Sequence, residues 1–389
     1  MIEDLFAAVY ANPDDDGPRL VLADALLERG DDRGELIQLQ IARSGRKQTP
    51  KQARREKELV DKHAAEHPLA SFGTLVFERG FPQTIDLDPK VKQLGNDPVW
   101  STIRCAKARK MKLTAKLFAG QSRLVELELY DCAFAPKCFD ALPHLRTLYA
   151  AVDRIPAHAF AGLEALTTLE LTTERTIAKS LAGLPSLTKL VLNQDPTEVP
   201  IPPALFATLA HVPDIDLVFS KQFAPSGLAA LASVERFGAR FMPFEQLPAL
   251  PKLRFANVRA PEVFADVAAA VARLPALEHV NFEIFGPFEE MPNKTSPSDR
   301  WPMFGATINA SKLTKIGIAE TFTLTRGRDG KFSHLHVDDN GYNLVNLALM
   351  AVRHFGVTTI ENPGKHEARA LARLLTDTAS PRARGRRAR

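Results

Sequence analysis

The chain has 389 residues, of which 45% are apolar and 25% charged, a composition typical of an ordinary globular protein rather than of a disordered or fibrous one. No apolar run approaches the roughly 18 residues that a membrane-spanning helix needs, so we expect no membrane span. The net charge is +4, but the last ten residues, SPRARGRRAR, hold five arginines and no acid. The rest of the chain therefore carries roughly −1, and the basic character belongs to this tail.

The cysteines and the N-terminus favour a cytoplasmic protein. Cys105, Cys132 and Cys138 form an odd, sparse set without a CxxC pair, which predicts free thiols in a reducing compartment. The first residues, MIEDLFAAVYANPDDD, lack the basic start of a secretory signal. We therefore expect a cytoplasmic location.

The first forty residues predict three helices. Leu5, Phe6 and Val9 recur at helical spacing over residues 2–11, and Pro13 ends that helix. A second helix is expected to begin at a cap on Asp16 or Gly17 and to stop at Gly30, with Leu20, Ala23 and Leu27 on its buried face. Asp32 followed by Glu35 predicts a capping box that opens a third helix.

The acidic residues of this segment have a second interpretation, as a calcium site. Asn12, Asp14, Asp16 and Gly17 follow the start of a calcium-binding loop, which needs a bidentate glutamate six positions after the glycine. Ala23 occupies that position. The acids are therefore interpreted as helix-starting residues that the helix dipole favours, and no metal is expected.

The stretch LFAAVYANPDDDGPRLVLADALLERGDDRGELIQLQ resembles the repeat-companion module of bacterial proteins. The match covers about Glu3 to Gln40 and rests on the spacing DDD…RL…AD…LERGD.RGE. Ala25 stands where the family usually has an aromatic residue after AD. The resemblance implies no reaction, but it implies that leucine-rich repeats follow.

From Phe118 onward one apolar frame, F-x-x-L-x-x-L-x-x-L-x-L, recurs in seven segments such as FAGLEALTTLEL and LAGLPSLTKLVL. The steps between first strand positions are 21, 21, 21, 25, 22, 16 and 27 residues, and a leucine-rich repeat takes about 20–29. One repeat cannot bury its apolar face alone, so the frame predicts a stacked solenoid. Those first positions are Leu124, Leu145, Leu166, Leu187, Val212, Val234, Leu250 and Leu277.

The predicted fold is α/β: a leucine-rich-repeat solenoid with an N-terminal helical module and a C-terminal α+β cap. A further strand is expected at SKLTKIGI, and a degenerate early strand at Trp100, Ile103 and Cys105. The C-terminal cap is expected to combine a hairpin turning at Asp329-Gly330 with helices near 342–355 and 366–378. The expected domains are the module with its linker helix (1–68), the solenoid (69–320), the cap (321–379) and the Arg-rich tail (380–389).

HAAEH, residues 63–67, matches the inverted zinc-peptidase motif, in which two histidines four residues apart share a zinc ion with a glutamate beside them. A zinc hydrolase using His63, Glu66 and His67 is therefore one alternative. Pro68 ends the helix immediately, which favours a linker helix without metal. His334 and His336 share one strand face but have no third ligand nearby in the sequence.

Two basic stretches, residues 43–58 and the tail, suggest a second alternative, contact with nucleic acid. No aromatic platform or nucleic-acid-binding fold accompanies them in the sequence. They are also explained by a polar linker with balancing acids and a solvated tail.

The function favoured by the sequence is a non-enzymatic scaffold, expected to be a monomer without cofactor or metal, that binds a protein partner on the concave face of the solenoid. In a leucine-rich stack the residues between the inward leucines project onto that face, which is acidic in the early strands and basic later. Charged strand positions that are merely solvated are the competing explanation. The predicted partner-binding residues are Glu126, Glu128, Tyr130, Tyr149, Glu170, Asp214, Asp216, Arg236, Arg240, Lys252 and Arg254.

Overall fold

In a computed structural model the chain forms two compact units, unit 1 (Met1–Leu190) and unit 2 (Val191–Arg389). Among the described residues, no helix is both long enough and apolar enough to cross a membrane. The structure describes residues 2–45, 47–121, 123–173, 181, 183–194, 202–218, 225–259, 267–283, 312–318, 322–337 and 359–361.

Unit 1 begins with the three predicted helices and the expected linker helix. Their bounds are α1 (Ile2–Ala11), α2 (Asp16–Glu28), α3 (Arg33–Gly45) and α4 (Pro50–Glu66). Thr49 caps α4 with a capping box. Its hydroxyl accepts a hydrogen bond from the backbone N–H of Gln52, and the side-chain oxygen of Gln52 accepts one from the backbone N–H of Thr49.

The caps of the second and third helices differ from the predicted ones. Asp15, and not Asp16 or Gly17, caps α2, because its carboxylate accepts the Gly17 N–H at 2.9 Å. At α3 the predicted capping box of Asp32 and Glu35 is wrong. Asp31 accepts the Arg33 N–H there, which leaves the Asp32 carboxylate for contacts with α4.

The predicted buried face of α2 is confirmed at Ala23, which is fully buried, and is wrong at Leu20 and Leu27. Leu20 and Leu27 are 42% and 40% exposed, whereas Arg19 is fully buried beside Leu22 and Leu26. The Arg19 guanidinium donates to the Pro13 carbonyl at 2.6 Å and to the Arg79 carbonyl at 3.0 Å, and it lies over the Phe81 ring. A pattern that counts arginine as polar cannot anticipate a buried, hydrogen-bonded guanidinium, so it assigned the wrong face.

The strands of unit 1 follow the helices. The short strand β1 pairs antiparallel with β2, after which β2, β3, β5, β7 and β8 are neighbours in parallel, and β4 pairs with β6 in a small second sheet. Their bounds are β1 (Gly73–Glu78), β2 (Phe81–Leu87), β3 (Cys105–Arg109), β4 (Lys112–Leu113), β5 (Glu126–Tyr130), β6 (Ala133–Phe134), β7 (Thr147–Ala151) and β8 (Thr168–Thr173).

Each parallel strand of unit 1 buries the apolar pair of the repeat frame. Leu127 and Leu129 of β5 are fully buried, and so is Phe139 of the following turn. One backbone carbonyl before each strand accepts two N–H groups of the next repeat: the Arg146 carbonyl accepts from Thr167 and Thr168 at 2.9 Å each. The regular step of 21 residues thus places equivalent side chains side by side on neighbouring strands, as the sequence predicts.

The early strand β3 belongs to this frame in a different register from the predicted one. Its inward residues are Ala106 and Ala108, with Ile103 as the buried first position, 21 residues before Leu124. Cys105 therefore points away from the core, not into it. The alanines carry too little apolar signal to fix this register from the sequence.

Gln40 of α3 joins the helices to the edge of the sheet. Its amide nitrogen donates to the Phe77 carbonyl at 3.1 Å, and its oxygen accepts the Gly80 N–H at 2.8 Å. Glu56 of α4 accepts from the same amide nitrogen at 3.0 Å. A Cβ at Gly80 would lie 2.1 Å from Ile37, so only glycine permits this close approach. Gln40 is 3% exposed, and its side chain takes the hydrogen-bonding role of a further backbone segment.

The loop between α1 and α2 is held by arginines from the strand region. Arg79 donates to the Asp14 carbonyl at 3.1 Å, Arg104 binds the Asp14 carboxylate at 2.6 Å, and Arg123 donates to the Ala11 carbonyl at 3.0 Å. The Asp14 carboxylate is thus engaged by a guanidinium, which accounts for part of the acidic cluster without a metal ion.

The repeat continues in unit 2. Strand β9 (Lys189–Gln194) includes the last two residues of unit 1 and the first four of unit 2. Strands β10 to β14 are parallel neighbours, and the chain then turns back through antiparallel β15 and β16 before β17. The bounds are α5 (Pro203–Thr208), α6 (Val267–Ala272), β10 (Asp214–Leu217), β11 (Arg236–Pro243), β12 (Phe255–Arg259), β13 (His279–Glu283), β14 (Lys315–Ile318), β15 (Phe322–Arg326), β16 (Phe332–Val337) and β17 (Thr359–Glu361).

One predicted strand position in unit 2 is displaced by three residues. The first position of β12 is Leu253, not Leu250, because Ala256 and Val258 are the buried strand residues. The steps around it become 19 and 24 residues instead of 16 and 27. A step of 16 leaves too few residues to complete a repeat, and the triplet spacing of leucines made both registers fit the sequence.

The predicted strand at SKLTKIGI and the predicted hairpin are both present, as β14 and as β15 with β16. Gly330 lies in the turn with a φ of +74°, which favours glycine there. The helices expected near 342–355 and 366–378, and the tail 380–389, lie outside the described residues.

The repeat core makes a stability prediction. Leu127, Leu169 and Leu190 are fully buried at equivalent positions, so changing each to alanine should lower the free energy of unfolding by about 2–5 kcal/mol. Lys116→Ala, at an exposed turn position, is the control and should change it by less than about 0.5 kcal/mol. Urea unfolding measures both. Near-neutral values for all three leucines would refute the stacking register.

The contact at the sheet edge makes a second prediction. Gln40→Met keeps the volume but leaves the Phe77 carbonyl and the Gly80 N–H without their buried partner, which should cost about 2–4 kcal/mol of unfolding free energy. Gln38→Met, on the exposed face of the same helix, removes a solvent-exposed hydrogen bond to Asp24 and should cost little. Equal urea midpoints for the two variants would show that the Gln40 contacts do not hold the helices to the sheet.

Candidate functional site

The candidate site in unit 1 is the set of side chains that project from β2, β3, β5, β7 and β8 on the side opposite the core, here called the open face. Parallel pairing aligns them in rows across strands about 5 Å apart. One row runs Asp86, Lys107, Glu128, Tyr149 and Glu170. Its neighbours contain Cys105, Glu126, Thr147 and Thr168 on one side, and Arg109, Tyr130, Ala151 and Thr172 on the other.

The structure places all five unit 1 residues of the predicted partner-binding set on the open face: Glu126, Glu128, Tyr130, Tyr149 and Glu170. The face is nevertheless not the acidic strip that the sequence suggested. Lys107 binds both oxygens of Glu128 at 2.8 and 2.9 Å, and this hydrogen bond raises the pKa of Lys107. The Tyr130 hydroxyl also donates to Glu128 at 2.9 Å. One predicted acid is therefore already neutralised.

An arginine and two tyrosines form an aromatic cluster beside that pair. The Arg109 guanidinium lies 4.1 Å from the centre of the Tyr130 ring, and the Asp86 carboxylate is 3.6 Å from Arg109. The rings of Tyr130 and Tyr149 are 5.2 Å apart at their centres. All four side chains are at least partly exposed, so the cluster is a surface feature that no apolar core covers.

Two acids of the open face keep no cationic partner among the described residues: Glu126, which is exposed, and Glu170, which is partly exposed.

Cys105 lies beside Glu126. Burial first, and then the charges of Glu126 and Glu128, raise the pKa of the Cys105 thiol to about 11, so the thiol is protonated at neutral pH and is a poor nucleophile.

Lys107 and Arg109 were missed from the sequence because the inward residues of β3 are alanines. With Leu at positions 106 and 108 the strand would have displayed the frame that identified β5. The signal that remained was the 21-residue step from Ile103 to Leu124.

In unit 2 the structure brings Asp214, Asp216, Arg236 and Arg240 onto strands, as expected. Asp214 and Arg236 are register neighbours with their charged atoms 3.7 Å apart, and the Arg236 guanidinium lies 4.2 Å from the centre of the Phe255 ring. Asp216 lies against Gly238: a Cβ at that glycine would be 2.3 Å from the Asp216 carboxylate. The two acids thus lie on β10 and the two arginines on the next strand, β11.

Lys252 and Arg254 are not strand residues, which corrects their predicted place. Both precede β12, and Arg254 forms a two-point ion pair with Glu278 at 2.9 and 3.1 Å, where the equivalent positions of two consecutive repeats meet. The three-residue register error in the sequence interpretation put them on the wrong surface. The outward strand residues at this point are Phe255 and Asn257.

The histidines of the HAAEH motif do not converge on one point. His63 is buried, with Nε2 2.8 Å from Asp32. His67 ends α4, and its Nδ1 accepts the Leu69 N–H at 3.2 Å. Glu66 is exposed. Each histidine has a structural role of its own, which argues against the zinc-hydrolase alternative.

Within the part of the chain that the structure describes, two groups of acid, histidine or cysteine side chains come close enough together to be considered as metal sites. In the first, Asp31, Asp32 and His63, the Asp32 carboxylate is bound by Lys62 at 2.9 Å, and that contact lowers its pKa. The second is Cys105 with Glu126 and Glu128, whose pair with Lys107 is described above. In both groups an ammonium group already neutralises one of the carboxylates.

Comparison with known proteins gives structural likeness at low sequence identity. No protein-family model matches the chain, and no curated protein matches it. Three similar solved structures are a leucine-rich-repeat protein of Leptospira interrogans, an internalin of Listeria monocytogenes and a chain of the Toll–Spätzle complex of Drosophila.

The likeness to each of these structures is low. The Leptospira protein is 16% identical with a TM-score of 0.35, covering 52% of this chain and 56% of its own. The internalin is 13% identical with a TM-score of 0.38, covering 70% and 78%. The Drosophila chain is 15% identical with a TM-score of 0.45, covering 72% and 40%. This chain thus spans about half of the length of the Leptospira protein. The assignment to leucine-rich repeats rests on the repeat step and strand ladder of the chain itself.

His67 makes a pH prediction. Burial first, and then the charge of Arg33, lower the pKa of His67 to about 4. Below the unfolded value of about 6.5 the unfolded chain takes up the proton first, so stability falls as the pH drops from 6.5 towards 4. His67→Asn keeps an acceptor for the Leu69 N–H but does not titrate. The unfolding free energy of this variant should fall less steeply than that of the wild type between pH 6.5 and pH 4. The two slopes should differ by at most about 1.4 kcal/mol per pH unit.

Urea unfolding at pH 7, 6 and 5 makes the comparison. The other histidines are the same in both proteins, so only the difference between the two curves reports on His67. Parallel curves would show that His67 is not held neutral.

Proposed function

We propose that the protein is a non-enzymatic scaffold that binds a protein partner on the open face of unit 1. The observation that carries the proposal is the partly exposed cluster of Arg109, Tyr130 and Tyr149 beside Glu126 and Glu170. Tyrosine and arginine are enriched among the residues that dominate binding energy at protein interfaces. The role needs neither a cofactor nor a metal.

The open face offers the layout of an interface core and rim. The two tyrosines supply large side chains that lose little entropy on binding, because few of their torsions are free. Thr147, Ala151 and Thr168 beside them are short, which leaves the rings accessible from the solvent side. The buried apolar residues on the core side stabilise the sheet, so its packing does not require aromatic residues on the open face.

Charge favours a basic partner. Asp86 is paired with Arg109 and Glu128 with Lys107, which leaves the two carboxylates of Glu126 and Glu170 on the same face. A partner that brings positive charge would neutralise them and would associate faster at low salt. Exposed charges that are only solvated are the competing explanation, and they do not account for the pair of neighbouring tyrosine rings.

We also propose that α1 to α3 are the module that the sequence resembles, that α4 is its linker helix, and that together they cap the first strands. Gln40 completes the hydrogen bonds at the sheet edge, and Arg104 and Arg123 hold the loop after α1. In this role the acidic loop stabilises the scaffold and is not a binding site.

A photo-cross-linking residue tests the location of the interface. Placed at Thr168, on the open face, p-benzoylphenylalanine should form a discrete covalent adduct with a partner in the native cell. Placed at Glu164, in an exposed turn, it should form none, and mass spectrometry of the adduct identifies the partner. Absence of an adduct at Thr168, or the same adducts from both positions, would exclude this face.

Charge reversal then tests the electrostatic part. Glu126→Lys together with Glu170→Lys should slow association with the cross-linked partner several-fold and weaken its salt dependence, because two attractive charges become repulsive. Glu164→Lys is the matched control. Surface plasmon resonance at two salt concentrations measures the rates, and unfolding curves should remain within about 0.5 kcal/mol of the wild type. Unchanged association rates would show that the acids do not steer the partner.

A further inference from the structure

The same three-part contact occurs twice on the outward side of the strands. In unit 1 the Arg109 guanidinium lies against the Tyr130 ring with the Asp86 carboxylate 3.6 Å away. In unit 2 the Arg236 guanidinium lies against the Phe255 ring, with Asp214 3.7 Å away. In both cases acid, arginine and aromatic residue come from three successive strands of the sheet. The strand spacing of about 5 Å suits this arrangement, since it lets a flat cation fit between a ring and a carboxylate.

Tyr149 and its acidic neighbours supply the aromatic and acidic components of this contact without the cation. They lie on adjacent strands with no strand between them, so a cation would approach them from the solvent side. It is the register neighbour of Glu128 on β5 and of Glu170 on β8. Arg109 lies against Tyr130, and Lys107 binds Glu128. Among the described residues, no arginine or lysine is in ionic contact with Glu170 or stacks on Tyr149.

We propose that Tyr149 and Glu170 form a receiving site for an arginine side chain of the partner protein. This inference rests on the proposed function and specifies the chemistry of its central contact. The incoming guanidinium lies against the Tyr149 ring and donates to the Glu170 carboxylate. Glu126, one row away, adds a second negative charge to the site.

Arginine fits this site better than lysine. A guanidinium is planar, so it stacks on a ring while its N–H groups point sideways to a carboxylate, as Arg109 does between Tyr130 and Asp86. An ammonium group is compact and strongly hydrated, and it loses more hydration on approaching a ring. Neutral side chains gain neither the cation–π contact nor the ion pair.

Three synthetic peptides serve as probes: GSRGSRGSRGS with a fluorescein label, and its counterparts with lysine or with citrulline, a neutral isostere of arginine. Fluorescence anisotropy with the full chain should give the tightest binding for arginine, weaker binding for lysine and the weakest for citrulline. Tyr149→Leu should weaken binding of the arginine peptide by about threefold to thirtyfold, the range of a single cation–π contact. Glu170→Gln should weaken it by up to about fivefold, the range of an exposed ion pair.

Two controls separate the site from general effects. Tyr149→Phe keeps the ring and should keep most of the affinity, and Glu164→Gln removes an exposed charge outside the open face and should leave the affinity unchanged. In proton spectra of the peptide, the arginine side-chain signals should move upfield with wild type and Tyr149→Phe, because they lie over a ring. With Tyr149→Leu that movement should be lost.

Equal affinity for the arginine and citrulline peptides, or no effect of Tyr149→Leu, overturns the arginine site. The native partner distinguishes this failure from failure of the proposed function. If Glu126→Lys with Glu170→Lys impairs capture of the cross-linked partner while Tyr149→Leu does not, the interface stands and the arginine site is wrong. If no adduct forms at Thr168, the interface itself is wrong.

Discussion

The structure of unit 1 depends on a single constraint: each short strand carries two apolar side chains that it cannot bury by itself. Leu127 and Leu129 become fully buried only because β3 and β7 present equivalent residues on either side. The backbone reinforces the same step, since one carbonyl per repeat accepts two N–H groups of the next. Stacking in register is therefore the condition for a folded repeat.

The same constraint determines the chemistry of the opposite face. Once the inward residues are in register, the outward ones are in register as well, at the spacing of neighbouring strands. Arg109 meets Tyr130, Lys107 meets Glu128, and Tyr149 lies between two glutamates for this reason alone. A repeat sequence can thus vary the outward residues freely and assemble a binding surface from side chains 21 residues apart.

The edge of the sheet at the first strand of unit 1 also has to be covered. The first strand of unit 1 is antiparallel and belongs to no repeat, and Gln40 supplies the hydrogen bonds that a further segment of backbone would make at this edge. Arg79, Arg104 and Arg123 bind the carbonyls and the carboxylate of the loop after α1. The acidic run at the start of the chain is thereby explained by helix capping and by arginine contacts.

Features with a strong local or periodic signal could be predicted from the sequence: the helix Ile2–Ala11, the leucine repeats with a step of 21 residues, and the hairpin at Gly330. Errors arose where the deciding interaction is distant in sequence or the signal is ambiguous. Arg19 is buried because the carbonyl of Arg79, which is distant in the sequence, accepts a hydrogen bond from its guanidinium. The register of β12 was ambiguous because its leucines recur every three residues. The acidic strip was predicted without Lys107, since the alanines of β3 concealed its strand.

The central claim is that the tyrosines of the open face are covered by a partner in the cell. Hydroxyl-radical footprinting compares side-chain oxidation in the purified chain with that in fresh native extract. Tyr130 and Tyr149 should be oxidised in the purified protein and protected in the extract, whereas Tyr10, in the helical segment, should be oxidised to the same extent in both and serves as the internal reference. Equal oxidation of Tyr130 and Tyr149 in the two samples would contradict the account.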